Sequence, residues 1–249
     1  MKIFPDKQLT IKETWLASFW LYSKALPRVW SQAIVIGIIM IIVNWVDVHI
    51  MAPLVNMQTP VQFKLSDITP GRGVYIFAGL ISLLFVIYLS GVLLHRIYMI
   101  GKEQTTTLYD SLVFVKRKYF QVVSGTLLVL CICLFGTLAL VLPGIFMFVL
   151  LIMVHPLILF DDKGCFAAIK SSCKLVWGNW WHTFAILFPL MILNYAAGFG
   201  AQFISSHGCW WCGTLMSALV ITFFYPLFYS CILIQFGDLK LRRHSRHGL

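Results

Sequence analysis

Residues 120–160 read FQVVSGTLLVLCICLFGTLALVLPGIFMFVLLIMVHPLILF, and no Asp, Glu, Lys or Arg occurs among them. An α-helix rises about 1.5 Å per residue, so about 20 apolar residues cross a bilayer core about 30 Å thick. The stretch is therefore long enough for two crossings. Leu142-Pro143-Gly144 predicts a tight reversal between them, which gives spans at 120–142 and 144–160.

The same continuous apolar pattern recurs along the chain. Hydrophobic residues make up 60% of the 249 positions and charged residues 11%, whereas soluble domains are about 25% charged. A transmembrane β-barrel requires alternation of apolar and polar residues, and these runs do not alternate. The sequence predicts an all-α polytopic membrane protein, one integral membrane domain over 1–249. The four further spans are expected at 30–50, 73–99, 181–204 and 210–236.

Positive charge is distributed very unevenly over the two sides of these spans. Of the 19 Lys and Arg residues, 17 lie on one side of the membrane. They occur before span one, between spans two and three, between spans four and five, and after span six. Only Lys64 and Arg72 fall on the other side. Because cationic flanks are retained in the cytoplasm, we expect a bacterial inner-membrane protein with both termini cytoplasmic. No nucleic-acid motif accompanies the net charge of +10, so anionic lipid headgroups are the expected partners.

Three segments on the predicted cytoplasmic side have an apolar stripe at helical spacing, which is typical of helices that lie in the headgroup plane. Each precedes one pair of spans, which favours three repeats of an interfacial helix and a helical hairpin. The alternative is that they are ordinary basic connectors. The stripes are Trp15, Leu16, Phe19 and Trp20; Leu108, Leu112, Val115 and Tyr119; and Phe166, Ile169, Cys173, Val176 and Trp177.

A longer motif lies in residues 142–181. It contains Leu142-Pro143-Gly144-Ile145, His155-Pro156, Phe160-Asp161-Asp162, Ala167-Ala168-Ile169-Lys170-Ser171-Ser172 and Leu175-Val176-Trp177-Gly178-Asn179-Trp180-Trp181. This pattern resembles the YciC-like proteins of bacterial inner membranes and their relatives in glycerophosphodiesterase membrane domains. The resemblance implies a similar number of spans and no catalytic residue. Independently of it, Asp161 and Asp162 are predicted to cap a helix that begins near Gly164.

Proline residues interrupt three of the predicted spans. Pro156, Pro189 and Pro226 each remove a helical hydrogen bond, and kinked helices can surround a cavity. Polar residues inside spans are costly and are therefore candidates for function. Such kinks also occur in helices that bind nothing. The candidate ligand-binding residues for a small or lipidic ligand are His155, Asn194, Tyr195 and Gln235, with the His155 ring expected to bond a freed backbone carbonyl.

Two smaller patterns concern helix ends and helix packing. His95 and Arg96 lie at the predicted cytoplasmic end of span two, where amphipathic side chains extend towards the headgroups. In span five, small residues recur at a spacing of four, which predicts a close helix–helix contact within the chain or between copies. These small residues are Ala196, Ala197, Gly200 and Ala201.

Cys209-Trp210-Trp211-Cys212 is the strongest candidate for chemistry, because charge places it on the outer face, where disulfides persist. A C-x-x-C pair there is compatible with a redox site, a structural disulfide or free thiols. Cys209, Cys212 and His207 together would supply three zinc ligands, and a fourth ligand is not evident in the sequence.

No hydrolase or nucleotide-binding motif occurs, so we expect no catalytic residue, cofactor or metal. The leading hypothesis is non-enzymatic support of envelope or lipid homeostasis. Membrane lipids, another copy of the chain or a second membrane protein are the expected partners. The alternative is a thiol–disulfide redox protein that uses Cys209 and Cys212.

Overall fold

The computed structural model describes residues 4–46, 70–207 and 210–247, and every regular element within them is helical. The all-α prediction is thus confirmed for this part of the chain. The elements in order are α1 Ile11–Val46, α2 Pro70–Gly101, α3 Leu108–Ala139, α4 Val141–Leu151, α5 Val154–Phe160, α6 Cys165–Val176, a 3₁₀ turn Trp177–Asn179, α7 Trp180–Ser206 and α8 Trp210–His247.

Five helical stretches of the described residues are long and apolar enough to cross a membrane: Gly79–Gly101, Leu108–Leu138, Val141–Phe160, Cys165–Ser206 and Trp211–Ser245. They carry large exposed apolar side chains, among them Phe135 and Leu138, which is what a lipid-facing surface requires. The chain is therefore a multi-pass helical membrane protein. The predicted first span, 30–50, extends beyond residue 46 into positions outside the described residues, so six spans remain a prediction.

Two long helices begin with reciprocal hydrogen bonds between a threonine and an acidic residue three positions later. At the start of α1, the Thr10 amide donates to Glu13 Oε2 (2.8 Å) and the Glu13 amide donates to Thr10 Oγ1 (3.3 Å). Thr107 and Asp110 make the same arrangement before α3. Both helices then continue without interruption, so two of the predicted interfacial segments are the first turns of α1 and α3. Three separate interfacial helices and a threefold repeat are not confirmed.

The reversal between α3 and α4 lies at Leu140, two residues before the predicted Leu-Pro-Gly turn. Leu140 has an extended backbone (φ −168°, ψ 150°), while Pro143 lies in the first turn of α4, where a missing N–H needs no partner. A second break, at Ile152-Met153, separates α4 from α5. It follows from Pro156, which cannot donate the helical hydrogen bond to the Ile152 carbonyl.

Helices α1 and α8 pack antiparallel. The Leu9 amide, just before α1, donates to Asp238 Oδ1 near the end of α8 (2.7 Å), and Thr222 Oγ1 donates to the Ala33 carbonyl (3.4 Å). The main core is formed by side chains that are almost fully buried, and each of the helices α1 to α8 contributes to it. His95 belongs to this buried region, since only 2% of it is exposed and its ring stacks on Phe114. The prediction that it extends to the headgroups is wrong, because Ser111 satisfies its Nδ1 within the bundle.

Ion pairs join several segments at the same end of the bundle. Lys24 pairs with Glu103 (3.1 Å), Lys240 with Asp161, and Lys118 with Asp162. The prediction that Asp161 and Asp162 cap the next helix is wrong, because Gly164 occupies the cap of α6 without a side-chain hydrogen bond. The two carboxylates instead connect the α5–α6 loop to α8 and α3.

Candidate functional site

A groove of about 1070 Å³ lies between α4, the 3₁₀ turn and the first turns of α7. Its volume is slightly above the range of about 300–1,000 Å³ that is usual for ligand sites in proteins. We call it the aromatic groove. Its lining residues are Leu142, Pro143, Ile145, Phe146, Trp177, Gly178, Asn179, Trp180, Trp181, His182, Phe184 and Phe188.

Stacked rings hold the walls of the aromatic groove in place. The Trp180 ring lies 5.2 Å from the Phe146 ring and 5.0 Å from the nearly parallel Phe184 ring, measured between centroids. Trp180 Nε1 also donates to the Phe146 carbonyl (3.3 Å). These contacts fix α4 against α7 by both aromatic packing and a hydrogen bond. The groove is therefore a preformed surface.

The local sequence explains why so many rings converge here. Helix α6 is attached to α4 by the hydrogen bond from Ser172 Oγ to the Leu150 carbonyl (2.6 Å). It ends at Val176, and the 3₁₀ turn that follows brings the chain to Asn179, whose backbone is not helical (φ −133°, ψ 29°). Trp177 and Trp181 remain 67% and 77% exposed, while Trp180 packs inward. The turn thus presents two indoles at the rim and one at the floor.

His182 forms the polar end of this apolar groove. Its Nδ1 lies 3.2 Å from Gln235 Nε2, and its Nε2 lies 3.4 Å from Arg242 Nη2. Gln235 Nε2 and the Arg242 guanidinium are both donors, and a neutral imidazole accepts at one nitrogen only, so His182 accepts one of these two hydrogen bonds. We call His182, Thr183, Gln235, Asp238 and Arg242 the His182 network.

The His182 network is largely sealed from solvent. Gln235 Nε2 donates to Thr183 Oγ1 (3.0 Å), and Arg242 Nε donates to Asp238 Oδ2 (2.6 Å). Both Gln235 and Asp238 are fully buried. Gln235 Oε1 has no hydrogen-bond partner among the described residues. The network orients the imidazole from behind, because each of its nitrogens faces a side chain of α8.

The structure does not bring the four predicted ligand-binding residues together, and none of them lines the aromatic groove. His155 Nε2 lies 2.8 Å from Thr126 Oγ1, so a neighbouring helix satisfies it instead of the expected backbone carbonyl. Gln235 belongs to the His182 network, whereas Asn194 and Tyr195 lie exposed on the outer surface of α7. Their role in binding remains a prediction.

The groove was not predicted from the sequence, although Trp177, Trp180 and Trp181 are part of the motif in residues 142–181. The missing partner was Phe146, which lies 34 positions before Trp180 in a span where aromatic residues are common. The His182–Gln235 contact likewise joins positions 53 apart. A Trp-rich turn that follows a short helix was the available signal, but it does not specify which span lies opposite.

The cysteine motif is only partly within the described residues. Cys212 is disulfide-bonded, and Cys209 lies outside them. The described cysteines also include five free thiols, so they supply no further disulfide for electron relay. Nothing in this part of the chain supports the redox alternative. The free thiols are Cys131, Cys133, Cys165, Cys173 and Cys231.

The fold and the aromatic groove together define a multi-pass helical membrane protein with a large apolar surface site. Comparison of the chain with protein-family models, with curated proteins and with solved structures found no match.

Proposed function

We propose that this chain is a six-span protein of the bacterial inner membrane that binds a lipidic ligand in the aromatic groove and catalyses no reaction. In this proposal it supports envelope or lipid homeostasis and belongs with the YciC-like proteins that residues 142–181 resemble. The observation that carries the proposal is the groove itself, a preformed apolar surface with one polar end.

The chemistry of the lining favours a lipid over a polar solute. Phe146, Trp180, Phe184 and Phe188 offer flat apolar faces, which suit an acyl or isoprenoid chain. A soluble polar ligand would need several converging hydrogen-bonding side chains. Apart from the indole N–H groups of the tryptophans, His182 and Asn179 are the only hydrogen-bonding side chains among the lining residues of the groove. His182, whose ring nitrogens face Gln235 and Arg242 of α8, marks the polar end of the groove.

The charges support the proposed orientation. Among the described residues, three ion pairs join distant segments, and each uses side chains that the charge pattern assigns to the cytoplasm, namely Lys24–Glu103, Lys118–Asp162 and Lys240–Asp161. The contact between Leu9 and Asp238 holds the segment before α1 against the end of α8. This neighbourhood is expected when both termini lie on one side, because an even number of spans separates them.

Identification of the lipids that co-purify with the protein tests the proposal. The chain is purified in mild detergent, and its lipids are compared by mass spectrometry with those of the membrane from which it came. We expect one lipid class to exceed its share of the bulk membrane. The variant Trp181→Ala/Phe188→Ala, which shortens two exposed lining side chains, should lose this enrichment.

Phe199→Ala is the matched control, because Phe199 is an exposed phenylalanine on the same helix as Phe188 but outside the groove. It should retain the enriched lipid. Bulk lipid in bulk proportions on the unmodified chain would contradict the proposal. So would equal losses from the groove variant and the control.

A further inference from the structure

A second concave site lies where α1, α2 and the α2–α3 loop meet. This cavity of about 370 Å³ is lined by Arg28, Arg96, Ile100, Gln104, Thr105, Thr106 and Thr107. We call it the arginine cleft. It shares no lining residue with the aromatic groove, so the inference below rests on the membrane orientation proposed above but not on ligand binding in that groove.

The two arginines of the cleft have no acidic partner in the part of the chain that the structure describes. Neither guanidinium forms a hydrogen bond or an ion pair with another described residue. Arg96 is half-buried, and the charge of Arg28 repels it. Arg28 is exposed and Arg96 is partly removed from water, so the two like charges repel each other and an anion between them would relieve that repulsion. The cleft is therefore poised for an anionic ligand.

The carboxylates closest in sequence to the cleft are already engaged. Glu103 accepts a hydrogen bond from Lys24 Nζ (3.1 Å), and Asp110 Oδ2 accepts from Thr107 Oγ1 (2.6 Å). Neither lines the cleft. These two carboxylates therefore do not form a salt bridge with Arg28 or Arg96.

The donor set fits a phosphate group. Each guanidinium presents a planar fork of N–H donors that matches two phosphate oxygens. The carboxamide of Gln104 and the hydroxyls of Thr105 and Thr106 add neutral polar groups around the same space. Arg28 precedes the first predicted span and Arg96 lies near the end of the second. The cleft is thereby placed at the depth of cytoplasmic headgroups.

We propose that the arginine cleft binds the phosphate of an anionic phospholipid headgroup on the cytoplasmic side. The same chemistry would accept free inorganic phosphate, so the test includes both sources. It uses the full chain in mild detergent, with native mass spectrometry for lipid adducts. The probes are phosphatidylglycerol, phosphatidylcholine with the same acyl chains, and inorganic phosphate followed by thermal unfolding.

We expect phosphatidylglycerol adducts that survive at higher collision energy than phosphatidylcholine adducts. Arg28→Gln should weaken phosphatidylglycerol binding roughly tenfold, which is the size expected for the loss of one charge-assisted contact. Arg28→Gln/Arg96→Gln should abolish the preference. Arg28 is exposed, so its single variant tests binding with little effect on folding.

Arg117→Gln is the matched control, since Arg117 is an exposed arginine on α3 that the charge pattern places on the same side. It should change the affinity by less than about twofold. A loss equal to that of Arg28→Gln would mean general surface attraction and would overturn the proposal. Equal binding of both lipids would also overturn it. Stabilisation by inorganic phosphate alone would assign the cleft to free phosphate and refute the lipid source.

Discussion

Asp238 is the clearest example of a residue whose position demands a partner. It is fully buried, and it accepts hydrogen bonds from the Leu9 amide (2.7 Å) and from Arg242 Nε (2.6 Å). Removal of one member of a buried pair leaves the other uncompensated. Asp238→Ala should therefore lower the free energy of unfolding by about 3 kcal/mol, measured by titration with a denaturing detergent.

The control for this variant is Lys7→Gln. Lys7 pairs with Glu13 at 3.1 Å, but its side chain is 76% exposed. Exposed ion pairs contribute little because water and salt screen them. Lys7→Gln should leave the unfolding free energy nearly unchanged. If Asp238→Ala were equally harmless, the His182 network would not contribute to the stability of the fold.

Glu13 predicts a pH dependence at the start of α1. The hydrogen bond from the Thr10 backbone, followed by the contact with Lys7, lowers the pKa of the Glu13 carboxyl from its ordinary value of 4.5 to about 2. A folded-state pKa below the unfolded one stabilises the helix end above about pH 4.5. This contribution is lost as the pH falls towards 2.

Amide hydrogen exchange at Thr14, corrected for intrinsic rates, measures that loss. Protection should be constant above about pH 5 and should decline below pH 4.5, in line with the Glu13 titration. Glu13→Gln should be less protected at neutral pH and should lack this decline. An identical decline in the variant would show that other groups cause it.

At the scale of the elements, the contact between α3 and α4 depends on two glycines. A Cβ on Gly136 would come 3.1 Å from the Gly144 Cα, and a Cβ on Gly144 would overlap the side chain of Thr137. The two helices thus approach each other with almost no side chain between them. Gly144→Ala should cost about 1–3 kcal/mol of unfolding free energy, the usual penalty for an overpacked contact.

Gly200→Ala is the matched control because a Cβ at Gly200 meets nothing within 4 Å. It should be neutral or slightly stabilising, since alanine favours a helix more than glycine does. The predicted small-residue face of α7 is in fact used at Ala201, whose carbonyl lies against Gly213. A larger loss from Gly200→Ala than from Gly144→Ala would contradict this packing.

The elements that could be predicted from the sequence are those marked by a long run of apolar residues. Apolar runs of about 20 residues predict spans because the bilayer sets that length. The ends of the helices were harder to predict. Two of the three segments predicted as interfacial helices are the first turns of α1 and α3. Their capping threonines, Thr10 and Thr107, are where those helices begin. Helix propensity does not separate a headgroup segment from the span that follows it, since both are helical.

At the scale of the whole molecule, the sites were beyond prediction for a different reason. The aromatic groove, the His182 network and the arginine cleft each combine residues that are distant in sequence. Charge and hydropathy specify which residues lie at a similar depth, but they leave the neighbours of each helix undetermined. Phe146 beside Trp180, and Arg28 beside Arg96, required the packing of the helices to be known.

The number and orientation of the spans decide at which membrane depth the aromatic groove and the arginine cleft lie. Reporter proteins fused to the two termini test the number and the orientation together. Five described stretches are able to cross the membrane, and α1 is the proposed sixth. Fluorescent-protein fusions before Met1 and after Leu249 become fluorescent in the cytoplasm, whereas alkaline phosphatase fusions become active outside it. We predict fluorescence at both termini and phosphatase activity at neither. Termini on opposite sides would show that α1 does not cross, and phosphatase activity at both would place the basic end of the bundle outside the cell.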